Sequence, residues 1–116
     1  MKRNELLEVT MELALQIIEY CEILEKERKY VIARQLLKSG TSIGANSREA
    51  QGAESKADFI HKLKIAYKEA EETEYWLVLC EKSTMYQNPP EQLKANLKSC
   101  QRLLGKIISS SKKISK

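Results

Sequence analysis

Helix-breaking residues are scarce in this chain, with four glycines and two prolines among 116 residues. Leu, Ile, Ala, Glu and Lys dominate instead, the balance of a helical protein, and the length suits one domain with a single core. There is one histidine, His61, and a di-iron bundle needs two Glu-x-x-His motifs plus further carboxylates. Asp58 stands three residues before His61, but it is better explained as part of a helix start. His61 is therefore expected on the surface. Three cysteines, Cys21, Cys80 and Cys100, form no CxxC pair, which argues against a disulfide framework and against zinc. They fall on or beside apolar stripes and are expected as small buried hydrophobes. No Ser/His/Asp or Cys/His set has catalytic spacing, so neither enzyme activity nor a metal or cofactor is expected. No window approaches the roughly 20 apolar residues of a membrane span. The start, Met1-Lys2-Arg3-Asn4-Glu5, has no secretory apolar region. Together these predict a cytoplasmic protein with no membrane partner.

Charge is plentiful and unevenly spread. Residues 1–28 carry a net −3, residues 29–68 +5, residues 69–91 −5, and residues 92–116 +7 with no acid at all. Alternating blocks of this kind help helices choose neighbours or partners, and a wholly basic final quarter can also meet nucleic acid.

Apolar spacing predicts four helices. The first runs from about Glu5 to Glu27 on the stripe Leu6, Thr10, Leu13, Ile17, Cys21 and Leu24, and the charged run Glu25–Lys29 makes the turn. The second runs from about Tyr30 to Gln51, its bulk supplied by Val31, Leu36, Leu37 and Ile43. Ser39, Gly40, Ile43, Gly44 and Ser47 would give it a nearly bare face. Each interior glycine costs about 1 kcal/mol relative to Ala, and close approach of a neighbouring helix would offset that cost. A loop at Gly40–Gly44 is the alternative; the continuous helix is preferred because Ile43 and Ala50 stay in phase. A phosphate-cradling loop at SGTSIGAN fails on spacing, since neither GxxxxGK nor GxGxxG occurs.

The third helix, about Ser55 to Ser83, has the cleanest signal: Phe59, Leu63, Ala66, Ala70, Thr73, Leu77 and Cys80 alternate spacings of four and three. Ser55 and Asp58 suit the N-cap and N3 positions. Tyr75–Cys80 is apolar on every side, which implies a second contact surface, either an oddly angled helix or another subunit. Asn88-Pro89-Pro90-Glu91 opens the fourth helix, with Asn88 as cap. Its stripe is Leu93, Leu97, Cys100, Leu104 and Ile107. Lys94, Lys98, Arg102 and Lys106 form a drifting basic row beside it. Residues 1–108 are thus expected as the bundle, and residues 109–116 as a basic, mobile tail.

Gln35-Leu36-Leu37, Ser39–Asn46, Arg48-Glu49-Ala50, Ala53-Glu54-Ser55, Asp58-Phe59, Lys62-Leu63, Ile65-Ala66, Lys68-Glu69-Ala70 and Glu72–Leu77 together resemble a bacterial protein family. Its members are small four-helix bundles encoded by intervening sequences in large-subunit (23S) ribosomal RNA genes. Ser47 departs from the pattern, where a larger apolar or aromatic residue often sits. The chain is similar also to the accessory protein of diversity-generating retroelements. The resemblance implies an antiparallel up-down-up-down bundle assembling into a homopentameric ring, and a connection with RNA or DNA; for the wider family no enzymatic activity is established. Candidate nucleic-acid contacts are Arg34, Lys38, Lys94, Lys98, Arg102, Lys106, Lys112 and Lys113. Candidate packing or interface residues are Gly40, Gly44, Tyr75 and Trp76. The competing expectation is a protein-interaction scaffold whose charge blocks only build the oligomer.

Overall fold

The structure, a computed structural model, describes residues 4–114, with side chains through Lys112. Among them are four α-helices and no strand: α1 (Glu5–Lys26), α2 (Tyr30–Ala50), α3 (Lys56–Lys82) and α4 (Glu91–Ile114). Each helix packs on two others, in the cyclic order α1, α2, α3, α4, while α1 and α3, like α2 and α4, are diagonal and keep their backbones apart; across the first diagonal only side chains meet, Tyr20 with Cys80. Every neighbouring pair is antiparallel. Asn4 at the start of α1 donates to Gln51 just past the end of α2. Lys62 reaches back to Glu49, and Gln101 donates to Glu74. Asn96 donates to Gln16 across α1 and α4.

The helix ends follow local chemistry. Asn4 Oδ1 caps α1 by accepting from the Leu7 amide at 3.1 Å. At the other end, the Arg28 amide donates to the Glu25 carbonyl (2.9 Å) and the Lys29 amide to that of Leu24 (2.8 Å). That is the Schellman arrangement, in which the turning residue usually is glycine; here Arg28 takes φ 64°. Ser55 Oγ accepts from the Asp58 amide at 3.0 Å, as an N-cap does, and the Asp58 carboxylate reaches back to accept from the Glu54 amide at 3.3 Å, one residue before the Ser55 amide that a capping box uses. α4 begins differently from expectation. The Lys94 amide bonds the Pro90 carbonyl, so Pro90 rather than Asn88 occupies the cap position. The connecting segment is held down by Tyr20, whose hydroxyl donates to the Gln87 carbonyl.

The core is formed by the expected stripes of α1, α3 and α4, with Phe59 and Ile107 only partly buried, together with Leu36 and Ile43 of α2; Leu13, Ile17, Leu24, Leu36, Ile43, Leu63 and Leu104 are fully buried. α2 is continuous through both glycines. A Cβ added to Gly40 would stand 2.8 Å from Cγ1 and Cγ2 of Ile17, so only glycine lets α1 approach this closely. At Gly44 the nearest atom, Thr10 Oγ1, is at 3.4 Å, ordinary contact. Two small hydroxyls finish the bare face: Ser39 and Thr73 hydrogen-bond each other at 2.9 Å between α2 and α3, and Ser47 donates to the Ile43 carbonyl at 2.8 Å. Two expectations for α2 are corrected. Val31 is 69% exposed and Leu37 38%, because the buried face of α2 runs through Ala33, Leu36, Gly40, Ile43, Ser47 and Ala50, with Val31 opposite it and Leu37 at its edge. The fourth helix continues through the serines to Ile114 instead of ending at Ile108. Adding a residue to an existing helix forms one hydrogen bond for each residue fixed, so a polar extension propagates readily.

Candidate nucleic-acid interface

Beyond its first residue, Glu91, α4 carries only basic charge, whereas α3 changes sign. Lys62, Lys64 and Lys68 precede Glu69, Glu71, Glu72, Glu74 and Glu81. Because the two helices are antiparallel, the acidic half of α3 lies beside the first half of α4, and its basic half beside the last. One end of the seam is therefore neutralised and the other doubly basic.

At the first end, Lys94 Nζ pairs with Glu81 and, at 2.8 Å, with Glu91. Its pKa is pushed up, chiefly by the Glu81 hydrogen bond and then by that to Glu91. Lys98 is exposed on the same seam, lining a groove of about 230 Å³ with Glu74 and Glu81, but among the described residues it makes no ion pair. The stripe then drifts outward. Arg102 and Lys106 are exposed beside Ser99 and Leu103 around a shallow depression. Among the described residues neither has a carboxylate partner within 4 Å.

At the far end, Lys64, Lys68 and Lys112 surround a pocket of about 400 Å³ whose walls include Tyr67, Gly105 and Ile108. The Lys64 pKa is lowered, first by repulsion from the Lys112 ammonium, then by direct contact with it, by desolvation and by Lys68. The expected set included Lys112 but missed Lys64, Lys68 and Tyr67. The signal was present: the two basic blocks meet once the third and fourth helices are folded antiparallel. The side chain of Lys113 lies outside the described residues.

Arg34 and Lys38 are exposed on α2, the diagonal neighbour of α4. The structure does not bring them together with the α4 stripe within one chain. Lys38 lies near Glu69, whose pKa it draws down against the larger upward effects of burial and Glu72. Tyr75 is 57% exposed, and its ring meets that of Trp76 edge-on at 5.4 Å. Trp76 is half-buried against the core and donates from Nε1 to Glu72 at 3.1 Å. Val78 and Leu79 extend this apolar surface, and Met11, Leu15 and Ile18 make a second one on α1.

His61 is exposed, and among the described residues no group of three His, Cys, Asp or Glu could hold a metal ion. No described helix is long and apolar enough to cross a membrane. The three thiols are buried, and burial pushes Cys21 up to about 12 and Cys100 to about 11.

Residues 2–109 match the family model described as 23S rRNA-intervening sequence protein. A crystal structure of a protein with unknown function from the S23 ribosomal protein family of Bacteroides thetaiotaomicron VPI-5482 is similar, with TM-score 0.84 and 43% identity. The match covers 89% of this chain and 97% of that one. No curated protein matches.

Proposed function

The chain belongs to the 23S rRNA-intervening sequence protein family, and from that premise we propose that it is a non-catalytic, oligomeric nucleic-acid-binding bundle that contacts phosphates through basic helix faces. The observation that carries this reading is the unpaired row Lys98, Arg102 and Lys106. Those cations are exposed on a rigid helix, and among the described residues no carboxylate is bonded to them. Cations left unneutralised by the fold are the ones that release counterions from a phosphate chain when it binds. Such contacts fix position without reading base edges, so binding is sequence-tolerant.

Assembly is part of the proposal. The Tyr75–Val78–Leu79 surface is flanked by Glu72 and Glu74, while the Met11–Leu15–Ile18 surface adjoins α2, which carries Arg34 and Lys38. Two unlike patches favour a heterologous contact, which closes into a ring when the rotation permits; five subunits is the number the family resemblance implies. A ring would multiply weak phosphate contacts into avidity and bring Arg34 and Lys38 of one subunit nearer to another's α4.

One observation favours the scaffold reading: Lys94 is already engaged by Glu81 and Glu91, as a basic residue used for packing would be. A filter-binding salt titration beside light scattering separates the two. Replacing Lys98, Arg102 and Lys106 with Gln should weaken RNA binding and flatten the salt slope by roughly 2–3, at about 0.7–0.9 per phosphate contact, with particle mass unchanged. Loss of assembly with no change in binding would favour the scaffold.

A further inference from the structure

Among the described residues, the pocket at the basic end of the α3–α4 seam combines three features found nowhere else in the molecule. Lys64, Lys68 and Lys112 line it together, Lys64 close enough to Lys112 for their charges to repel, and no carboxylate is bonded to any of the three. Like charges so placed repel in the empty protein, and an anion between them would remove the repulsion. Beside them is Tyr67, half-buried against the core and therefore fixed in place, with no hydrogen bond to its hydroxyl. Between Tyr67 and α4 there is room: Gly105 has nothing within 4 Å of the position a Cβ would take, and the pocket holds about 400 Å³.

The chemistry is also ordered along the pocket. Lys64 and Glu71 are two helical turns apart on α3, about 10 Å. Antiparallel pairing sets Lys112 near Lys64 and Gly105 near Glu71. One end thus attracts a phosphate. The other offers a carboxylate to a ribose hydroxyl or to an exocyclic amine, with open space for a base. A volume of this size lies within the range of small-ligand sites, and an aromatic ring beside cations is the combination that holds unpaired bases.

We propose that this pocket seats one nucleotide unit of a single-stranded nucleic acid, its phosphate between Lys64 and Lys112 and its base against Tyr67. The proposal rests on the nucleic-acid reading above and deepens it. The strand continues toward Lys106 and Arg102, which step outward from Gly105 along α4. A duplex keeps its bases stacked and paired, so it can use the α4 row but cannot fill the pocket.

The test is fluorescence anisotropy with a labelled single-stranded RNA of about 12 nucleotides, a duplex of the same sequence, and adenosine monophosphate as competitor. Tyr67→Leu should weaken single-strand binding roughly five-fold or more, the lower part of the usual stacking contribution, while duplex binding is unchanged. Tyr67→Phe should retain it. Gly105→Leu fills the pocket from a position where the added side chain meets no neighbour at Cβ, so it should keep the fold and lose single-strand preference. Lys64→Gln with Lys112→Gln should flatten the single-strand salt slope by roughly 1.4, two contacts at about 0.7 each. If Tyr67→Leu and Gly105→Leu bind single strands as the wild type does, the pocket proposal is overturned while the phosphate reading stands. Failure of the wild type to bind either RNA at low salt overturns both. Adenosine monophosphate binding as tightly as the oligonucleotide would replace the strand by a free nucleotide.

Discussion

Lys94 and Lys112 are the same residue type on the same side of one helix, 18 residues or about five turns apart, about 27 Å. Lys94 meets Glu81 and Glu91; Lys112 shares a pocket wall with Lys64 and Lys68. Apart from Glu91, which lies on the same helix, the difference lies in what the antiparallel neighbour offers. α3 changes from basic to acidic along its length, whereas α4 has a single acid, Glu91, in its first turn. A lysine's role in this bundle is therefore assigned by its position along the partner helix. The lesson extends to the glycines: Gly40 is needed where α1 and α2 press together at Ile17, whereas Gly105 lies where α3 and α4 leave space.

The comparison requires a dry, closed bundle between the two ends, and the thiols report on that. Ionisation of Cys21 is displaced from 9.0 to about 12 and of Cys100 to about 11, in both cases first by burial. Above pH 9 the unfolded chain releases thiol protons that the folded chain keeps, so the unfolded state binds fewer protons and stability falls as pH rises. Stability from this source should be fully present below pH 9 and lost progressively toward pH 11–12. Urea midpoints measured across that range should decline, and thiol reagents should react slowly until the protein unfolds. A flat profile would mean an open core.

Gly40→Ala should come next in size. Forcing a methyl against Ile17 costs about 1–3 kcal/mol, offset in part by about 1 kcal/mol of helix propensity. Gly105→Ala has only the propensity gain, about 1 kcal/mol. Opposite shifts in melting temperature would confirm that one seam is tight and the other open; equal shifts would break that contrast.

Smaller effects should follow from exchanging the charges of the two ends. Glu81→Lys removes a partner of Lys94 and makes the neutral end basic, so RNA should bind more tightly by a few-fold and the melting temperature should fall slightly. Lys64→Glu does the converse, giving Lys112 a partner. The melting temperature should rise slightly and RNA affinity fall. Differential scanning fluorimetry beside anisotropy reads both, and matching signs for the two variants would contradict the account.

Much of this was legible from residue spacing alone. The stripes of α1, α3 and α4 specify the buried residues because a bundle buries one face of each helix, and that face repeats every three or four positions. Tyr20 escaped because its phenol reaches the core from beside the stripe, to bond the Gln87 carbonyl. Val31 misled because it lies opposite the buried face of α2, which apolar content alone does not encode. The charge blocks were plain in the sequence. Their consequence for Lys94 and Lys64 was not, since it appears only when the third and fourth helices are laid antiparallel. Gly40 and Gly44 looked equivalent by composition, and only the position of Ile17 separates them.

The most direct test compares Lys94→Gln with Lys112→Gln in the full-length protein, by RNA affinity over a range of salt concentrations. The account predicts that Lys112→Gln weakens binding and flattens the salt slope by about one phosphate contact, roughly 0.7–0.9, while Lys94→Gln changes neither. Equal losses from both, or a loss confined to Lys94→Gln, would contradict the claim that phosphate is met by the cations the fold leaves unpaired.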